Sequence, residues 1–254
     1  MVTQFAAHMQ RTGAERWCYA ETLESVTVRS ESYFLDSAGS TNDIFASGLL
    51  SLEPAKGKPD SYVYDPRDTS GPEVEAEACT TGAALTDQSV ALALKGRQLV
   101  YHGAPFERDT EISGFFKLSA WIAIDCPDTD IYISVHEIGL DGSSIRLSTD
   151  AVRARYRNGL RTPELISTKE PLRYDFDGFT FVSRLIKRGH RLRLVIAPMG
   201  RILETTFAEK NYNAGGVVAE ESAQDGRPVT VVLHHDRDHP SALFVPLGPS
   251  EGSI

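Results

Sequence analysis

Residues 127–147 read PDTDIYISVHEIGLDGSSIRL, and their spacing decides the fold class. Ile131, Ile133 and Val135 alternate with Tyr132, Ser134 and His136, the period of two that a half-buried strand shows. Asp141-Gly142 then precedes a second run over 144–147, and Asp-Gly between two such runs predicts a two-residue hairpin turn with positive φ at both positions. The same period extends in both directions. Phe116, Leu118, Ala120, Ile122 and Ile124 form one apolar face, with Lys117 and Ser119 opposite. Leu192, Leu194 and Ile196 repeat the pattern, and residues 229–234 and 26–35 read as further strands. Long amphipathic helical windows are absent. The best helix candidate is short, with Asp87 as N-cap, residues 88–95 as body and Gly96 as its end. Residues 54–71 read as an irregular surface stretch. Many short strands with turn-rich connections predict an all-β fold, a two-sheet antiparallel β-sandwich of jelly-roll type with short helices and long loops. The expected organisation is a lead-in segment over 1–16, a single domain over 17–247 and a flexible tail over 248–254.

Composition narrows the function classes. The 254 residues are enough for one large domain with a substantial core. Twenty-six Lys and Arg against 35 Asp and Glu leave a formal net charge of -9, which argues against a nucleic-acid partner, because phosphate binding needs clustered cations. Residues 1–17 lack an apolar leader core and no run of 18 apolar residues occurs, so neither a signal peptide nor a membrane span is expected. Cys18, Cys79 and Cys126 are an odd, sparse set without a CxxC pair, which points to a reducing compartment and a cytoplasmic location.

The motif search is informative mainly by what it lacks. No serine stands in a GxSxG frame, and GxGxxG, GxxxxGK[ST] and HExxH are all missing. Ser143 and Ser144 fall in the hairpin turn, where a hydroxyl satisfies turn backbone. His234-His235-Asp236-Arg237-Asp238-His239 is the densest set of metal-type ligands. On a strand His235 and Asp236 point to opposite faces, so at most alternate members share an ion, and Arg237 opposes a cation. It is read as a polar loop, with no metal site and no cofactor. Asp125, Asp128 and Asp130 lack the EF-hand spacing and are read as a turn capped by carboxylates. Arg153, Arg155, Arg157 and Arg161 carry period-two spacing for the first three, read as a strand face with solvated side chains or internal ion pairs. Trp17 and Trp121 are read as packing residues.

Taken in order, several segments resemble one family. They are GAERW (13–17), SYVYDPRDT (61–69), Asp87-Gln88, LVYHGAPFERDTEISG (99–114), PDTDIYISVHEIGLDG (127–142), VRARYR (152–157), KRGHRLRLVIA (187–197), NYNAGG (211–216) and HPSALFVPL (239–247). The order is similar to that of the C-terminal jelly-roll, galactose-binding-like domain in the X-Pro dipeptidyl-peptidase and cocaine esterase (CocE/NonD) group of serine hydrolases. Departures are Ala197-Pro198-Met199-Gly200, where the family usually has Phe-Pro, and KGRQ before Leu99. In that group the Ser, Asp and His of the triad lie in an α/β-hydrolase domain upstream. The resemblance therefore implies a non-catalytic domain that braces the catalytic domain and shapes its pocket. It transfers no catalytic residue, and the chain alone is expected to be inactive. By position it places Ala120 and Trp121 nearest the substrate, and it implies an α/β-hydrolase domain or subunit as partner, with homo-oligomer contacts also possible. Two other readings stand beside it. One is a stand-alone carbohydrate- or ligand-binding module using Trp121, Tyr101 or Tyr132, and the other a metal-dependent enzyme built on residues 234–239.

Overall fold

The computed structural model describes residues 7–39, 41–54, 56–81, 88, 94–199 and 210–249. A hairpin of β1 (Ala7–Arg11) and β2 (Arg16–Ala20) opens the chain, followed by β3 (Arg29–Asp36), β4 (Gly48–Ser51) and β5 (Asp60–Tyr64). The helix α1 (Ser70–Thr81) comes next, and then β6 (Leu99–Gly103), β7 (Thr110–Gly114), β8 (Lys117–Ile124), β9 (Asp130–Ile138) and β10 (Ser144–Arg153). The remaining strands are β11 (Leu172–Phe176), β12 (Val182–Ile186), β13 (Arg191–Pro198), β14 (Val229–His234) and β15 (Ala242–Leu247). The chain is all-β in character, as the alternation predicts: β1 and β2 form a two-stranded sheet of their own, and the other thirteen strands form one continuous hydrogen-bonded path folded into a sandwich.

That path runs β10-β9-β13-β6-β4-β3-β15-β8-β14-β5, with β11 on β8 and the β7–β12 pair joined through β15. The sheet is not wholly antiparallel as expected. β4 and β6 run parallel, with Gly48 opposite Tyr101. Those strands are joined by the long excursion through β5 and α1, a connection long enough for a parallel crossover.

Burial explains each assignment. In β8, Leu118, Ala120, Ile122 and Ile124 are buried while Lys117 is exposed. In β14, Val229, Val231 and Leu233 face the core and alternate with half-buried Thr230, Val232 and His234. β6 and most of β13 are buried on both faces, and in β13 Leu192, Leu194 and Ile196 keep the period of two beside Arg191 and Arg193. The core joins Leu35, Tyr101, Phe116, Ile131, Ile133, Tyr174, Leu194 and Leu243.

Three local readings are corrected. The 139–143 connection is not a two-residue turn, because only Gly142 has positive φ (83°) and Gly142 N donates to Gly139 O at 3.1 Å. With Gly139 N on Ser143 O, this is a tight turn closed by a left-handed glycine and a bulge. Residues 54–71 are not wholly irregular, since Asp60, Tyr62 and Tyr64 of β5 are buried against alternately exposed Ser61 and Val63. The third concerns 153–157, where the chain leaves β10 for a 3-10 turn at Ala154–Tyr156, so the arginines do not share a strand face. The expected helix over 88–95 falls largely outside the described residues. Residues 1–16, expected as a lead-in, include β1, and Thr12 is stitched to β12 through Thr12 N to Ser183 O (3.1 Å) and Leu185 N to Thr12 O (2.9 Å). Gly248, where the tail was expected to start, donates its N–H to Glu111 O at 2.9 Å. Among the described residues no helix is long and apolar enough to cross a membrane.

Candidate functional site

Strand β8 organises the region of interest because one of its edges is shared. Residues 121–124 pair with β14, Trp121 lying opposite His234, whereas residues 117–119 pair with β15. The chain between β14 and β15 therefore emerges where the two partners part. Ser241 Oγ clamps this fork, donating to His234 O (2.6 Å) and accepting from Trp121 N (2.9 Å). Of the two residues expected nearest the substrate, Ala120 is fully buried in the core and opposite Tyr174 of β11, while Trp121 is half-buried beside the fork.

The six residues His234 to His239 separate in the turn that follows β14, which ends at His234. His235 turns inward and is buried. Its Nε2 lies 2.9 Å from Asp60 Oδ2, which also accepts from the Tyr101 hydroxyl (2.7 Å), while Ser37 Oγ donates to Asp60 Oδ1 (2.8 Å). Burial raises the Asp60 carboxyl, but hydrogen bonds from His235, Tyr101 and Ser37 outweigh it and hold the group below its usual value. Gly57 packs over the ring, and a Cβ there would sit 2.7 Å from both His235 Cε1 and Ser37 O. Sequence spacing gave no hint of this Ser37–Asp60–His235 group, whose members come from three distant segments.

It has the residue types of a hydrolytic triad and the wrong connectivity. A triad places the carboxylate on one ring nitrogen and the serine on the other. Here Asp60 engages Nε2, Ser37 lies 3.5 Å from that same nitrogen, and the buried Nδ1 has no partner. The serine proton points to the carboxylate, and the ring nitrogen nearest Ser37 is already engaged by Asp60, so the imidazole is not placed to activate Ser37. The group fastens β5, β6 and the 235 turn together. Tyr101, considered for a ligand-binding face, is wholly buried in it.

His234, Asp236 and His239 stay on the outer side, each half-buried, with one ligand atom from each lying within 4.8 Å of the others. Asp236 Oδ1 accepts the backbone N–H of Asp238 (2.8 Å) and of His239 (3.0 Å), which folds the turn and brings His239 back to His234. Burial raises Asp236, but those two backbone donors and the His239 side chain bring it below the ordinary carboxylate value. Burial and the neighbouring His239 hold His234 below its ordinary value. The His239 ring packs edge-on against Trp121 at 5.1 Å between centroids and lies 5.6 Å from the His234 ring. Arg237, expected to oppose a cation, is exposed and outside the trio.

The acidic loop at 125–130 has a different fate. Asp128 is buried and receives Arg155 Nε (2.7 Å), Arg155 N (2.8 Å) and Asn211 Nδ2 (2.8 Å). Asp130 receives Arg153 Nε (2.7 Å) and Nη2 (3.0 Å), and Asp125 accepts Thr230 N (2.7 Å). Burial raises the Asp128 carboxyl even against the lowering effect of Arg155. The internal ion pairs anticipated for the arginines are present, Arg157 joining Glu164 at 2.9 Å, and Arg161 is exposed. Cys126 lies beneath the loop with its thiol on Asp128 O, and burial pushes it up to about 12. Nearer β13, Arg193 Nε donates to His102 Nε2 (2.8 Å), which leaves the proton on Nδ1 facing Ser47 Oγ (2.7 Å). Burial, with Arg193 and Arg191, drives His102 down to about 3.

Comparison with known proteins places this architecture. Residues 6–198 match the profile of the X-Pro dipeptidyl-peptidase C-terminal non-catalytic domain. Cocaine esterase from Rhodococcus sp. (strain MB1 Bresler) is 26% identical over 221 residues, covering 85% of this chain and 37% of the esterase. Two solved structures share the fold at 18% identity. An α-amino acid ester hydrolase has a TM-score of 0.77, covering 94% of this chain and 40% of its own. An aminopeptidase from a marine sediment Thaumarchaeota archaeon has a TM-score of 0.73, with 95% and 40% covered. The chain thus spans about two fifths of the length of these relatives. With three quarters of its residues inside the matched profile, the chain belongs to the X-Pro dipeptidyl-peptidase C-terminal non-catalytic domain family.

Proposed function

We propose that this chain serves as the non-catalytic domain of an α/β-hydrolase-type serine esterase or peptidase, bracing the catalytic partner and shaping its substrate entrance. The observation that carries this reading is the match of residues 6–198 to a domain described as non-catalytic. Two physical features support it. The only Ser–Asp–His group found among the described residues lacks the connectivity of a triad. The β1–β2 hairpin also presents Trp17 (61% exposed) and Tyr19 (70% exposed) on one strand face, an uncommon apolar display on a chain with a net charge of -9. A groove of about 590 Å³ lined by Thr12, Leu23, Ile145, Leu147, Phe181 and Val182 adjoins the same hairpin through Gln10 and Thr12.

Within the assembled hydrolase, Trp121 is the residue proposed to border the acyl pocket, with buried Ala120 backing it from the core. The reaction of the assembly is acyl transfer from an ester or X-Pro amide to serine and then to water. The purified chain is expected to leave p-nitrophenyl acetate and butyrate unhydrolysed above the buffer rate. Turnover that co-purifies with the chain and is abolished by phenylmethanesulfonyl fluoride would overturn the proposal.

A further inference from the structure

We propose that His234, Asp236 and His239 form a binding site for one divalent transition-metal ion of the zinc class, closed by the turn between β14 and β15. Two imidazoles and one carboxylate are the donor set that Zn²⁺, Co²⁺ and Ni²⁺ favour, and three protein ligands leave a fourth position for water. The ligand atoms lie within 4.8 Å of one another. Around an ion with bonds of roughly 2.1 Å, tetrahedral ligands stand about 3.4 Å apart, so side-chain rotation alone closes the gap.

The three donors are also preorganised. His234 is the last residue of β14 and is fixed by its register with Trp121. The turn is held at its far end by Ser241, whose carbonyl accepts Leu35 N at 2.9 Å and whose hydroxyl clamps the fork. Asp236 Oδ1 is held by two backbone N–H groups, while Oδ2 lies 3.8 Å from His234 Nδ1 and 3.4 Å from His239 Nδ1. The outer contact His239 makes with Trp121 fixes its ring plane. Outer contacts that hold each ligand in place in this way turn a cluster of ligands into a site. The spacing i, i+2, i+5 fits because the turn, and not a strand or helix, returns the third ligand. His235, the intervening imidazole, is withdrawn to Asp60 and does not compete.

The test is to titrate the purified, tag-free chain with ZnCl₂ by calorimetry and with CoCl₂ by visible absorption. The expected result is one ion per chain, d–d bands of a four- or five-coordinate Co²⁺, and quenching of tryptophan emission by Co²⁺ that W121F reduces. His239→Gln and His234→Gln should each weaken binding at least tenfold, with His8→Gln as the unaffected control. His239 sits on a surface turn, so H239Q keeps the test decisive should H234Q fold poorly. No bound ion, or binding that persists within twofold in folded H239Q, overturns the proposal.

Discussion

The loop of residues 125–130 and the turn of residues 234–239 start from similar sequence signals, runs of oxygen and imidazole donors at the end of a strand. They finish in opposite electrostatic states. In the loop, Asp128 and Asp130 are matched by guanidinium groups delivered from one end of β10, so the positive charge is part of the chain. In the turn, Arg237 is outside the trio, and the three donors face each other. The density of ligand-type residues is thus a weak guide to metal binding. What distinguishes the two sites is whether the fold brings its own cation to the carboxylates.

The comparison can be broken most severely at Arg155. Replacing it with leucine strands a buried Asp128, and a loss of about 3–5 kcal/mol in urea unfolding is expected. The paired R155L/D128L change should recover part of that loss, and equal losses for single and double variants would show the charge pairing to be irrelevant. Next in size is Asp60→Ala, which removes the shared acceptor of Tyr101, Ser37 and His235. Leaving three buried donors unmatched should cost on the order of 2–4 kcal/mol, again read by unfolding.

A third test uses pH. Burial lowers His102 and His136 from 6.5 to about 3, so the unfolded chain binds more protons than the folded one between those values. Their stabilising effect is complete above pH 6.5 and declines as pH falls toward 3, by roughly 1 kcal/mol per pH unit for each histidine. A denaturation midpoint that stays flat from pH 7 to 5 would contradict this. The smallest effect is expected at the turn. His239→Gln should change metal-free stability by about 0.5 kcal/mol or less, since it lies on a half-buried surface turn. Added Zn²⁺ should then raise the melting temperature of the parent chain and leave H239Q unchanged.

These contrasts also show what a sequence reader can and cannot see. Strands β8, β9 and β14 are legible because aliphatic residues recur at a period of two on their inward face. β5 has the same period, but its buried members are Asp60, Tyr62 and Tyr64, residues that carry polar atoms and so hide the alternation. The arginines at 153, 155 and 157 keep strand spacing on paper, yet the 3-10 turn at Ala154 sends them to different partners. The candidate site divides likewise. Donor types at 234–239 were visible, and so was the opposition of His235 to Asp236. The return of His239 depends on two backbone hydrogen bonds to Asp236, and the Ser37–Asp60–His235 group depends on pairings across distant segments. Neither leaves a local spacing to read. α1 is not legible because its sequence, SGPEVEAEACTT, carries no apolar stripe and its start rests on local bonds of Asp68 to Ser70 and of Thr69 to Glu73.

The last strand has a kinetic consequence. β15 pairs with β3, β7 and β8, whose sequence positions lie about 120 to 220 residues earlier. Three strand edges therefore stay open until residues 242–247 arrive, and the closing contacts are among the most non-local that the chain makes. Such topology slows folding and leaves unpaired edges exposed while it proceeds. Pro246 within β15 lacks the N–H that a template for edge-to-edge pairing needs, so the strand that completes the sheet is itself a poor seed for aggregation.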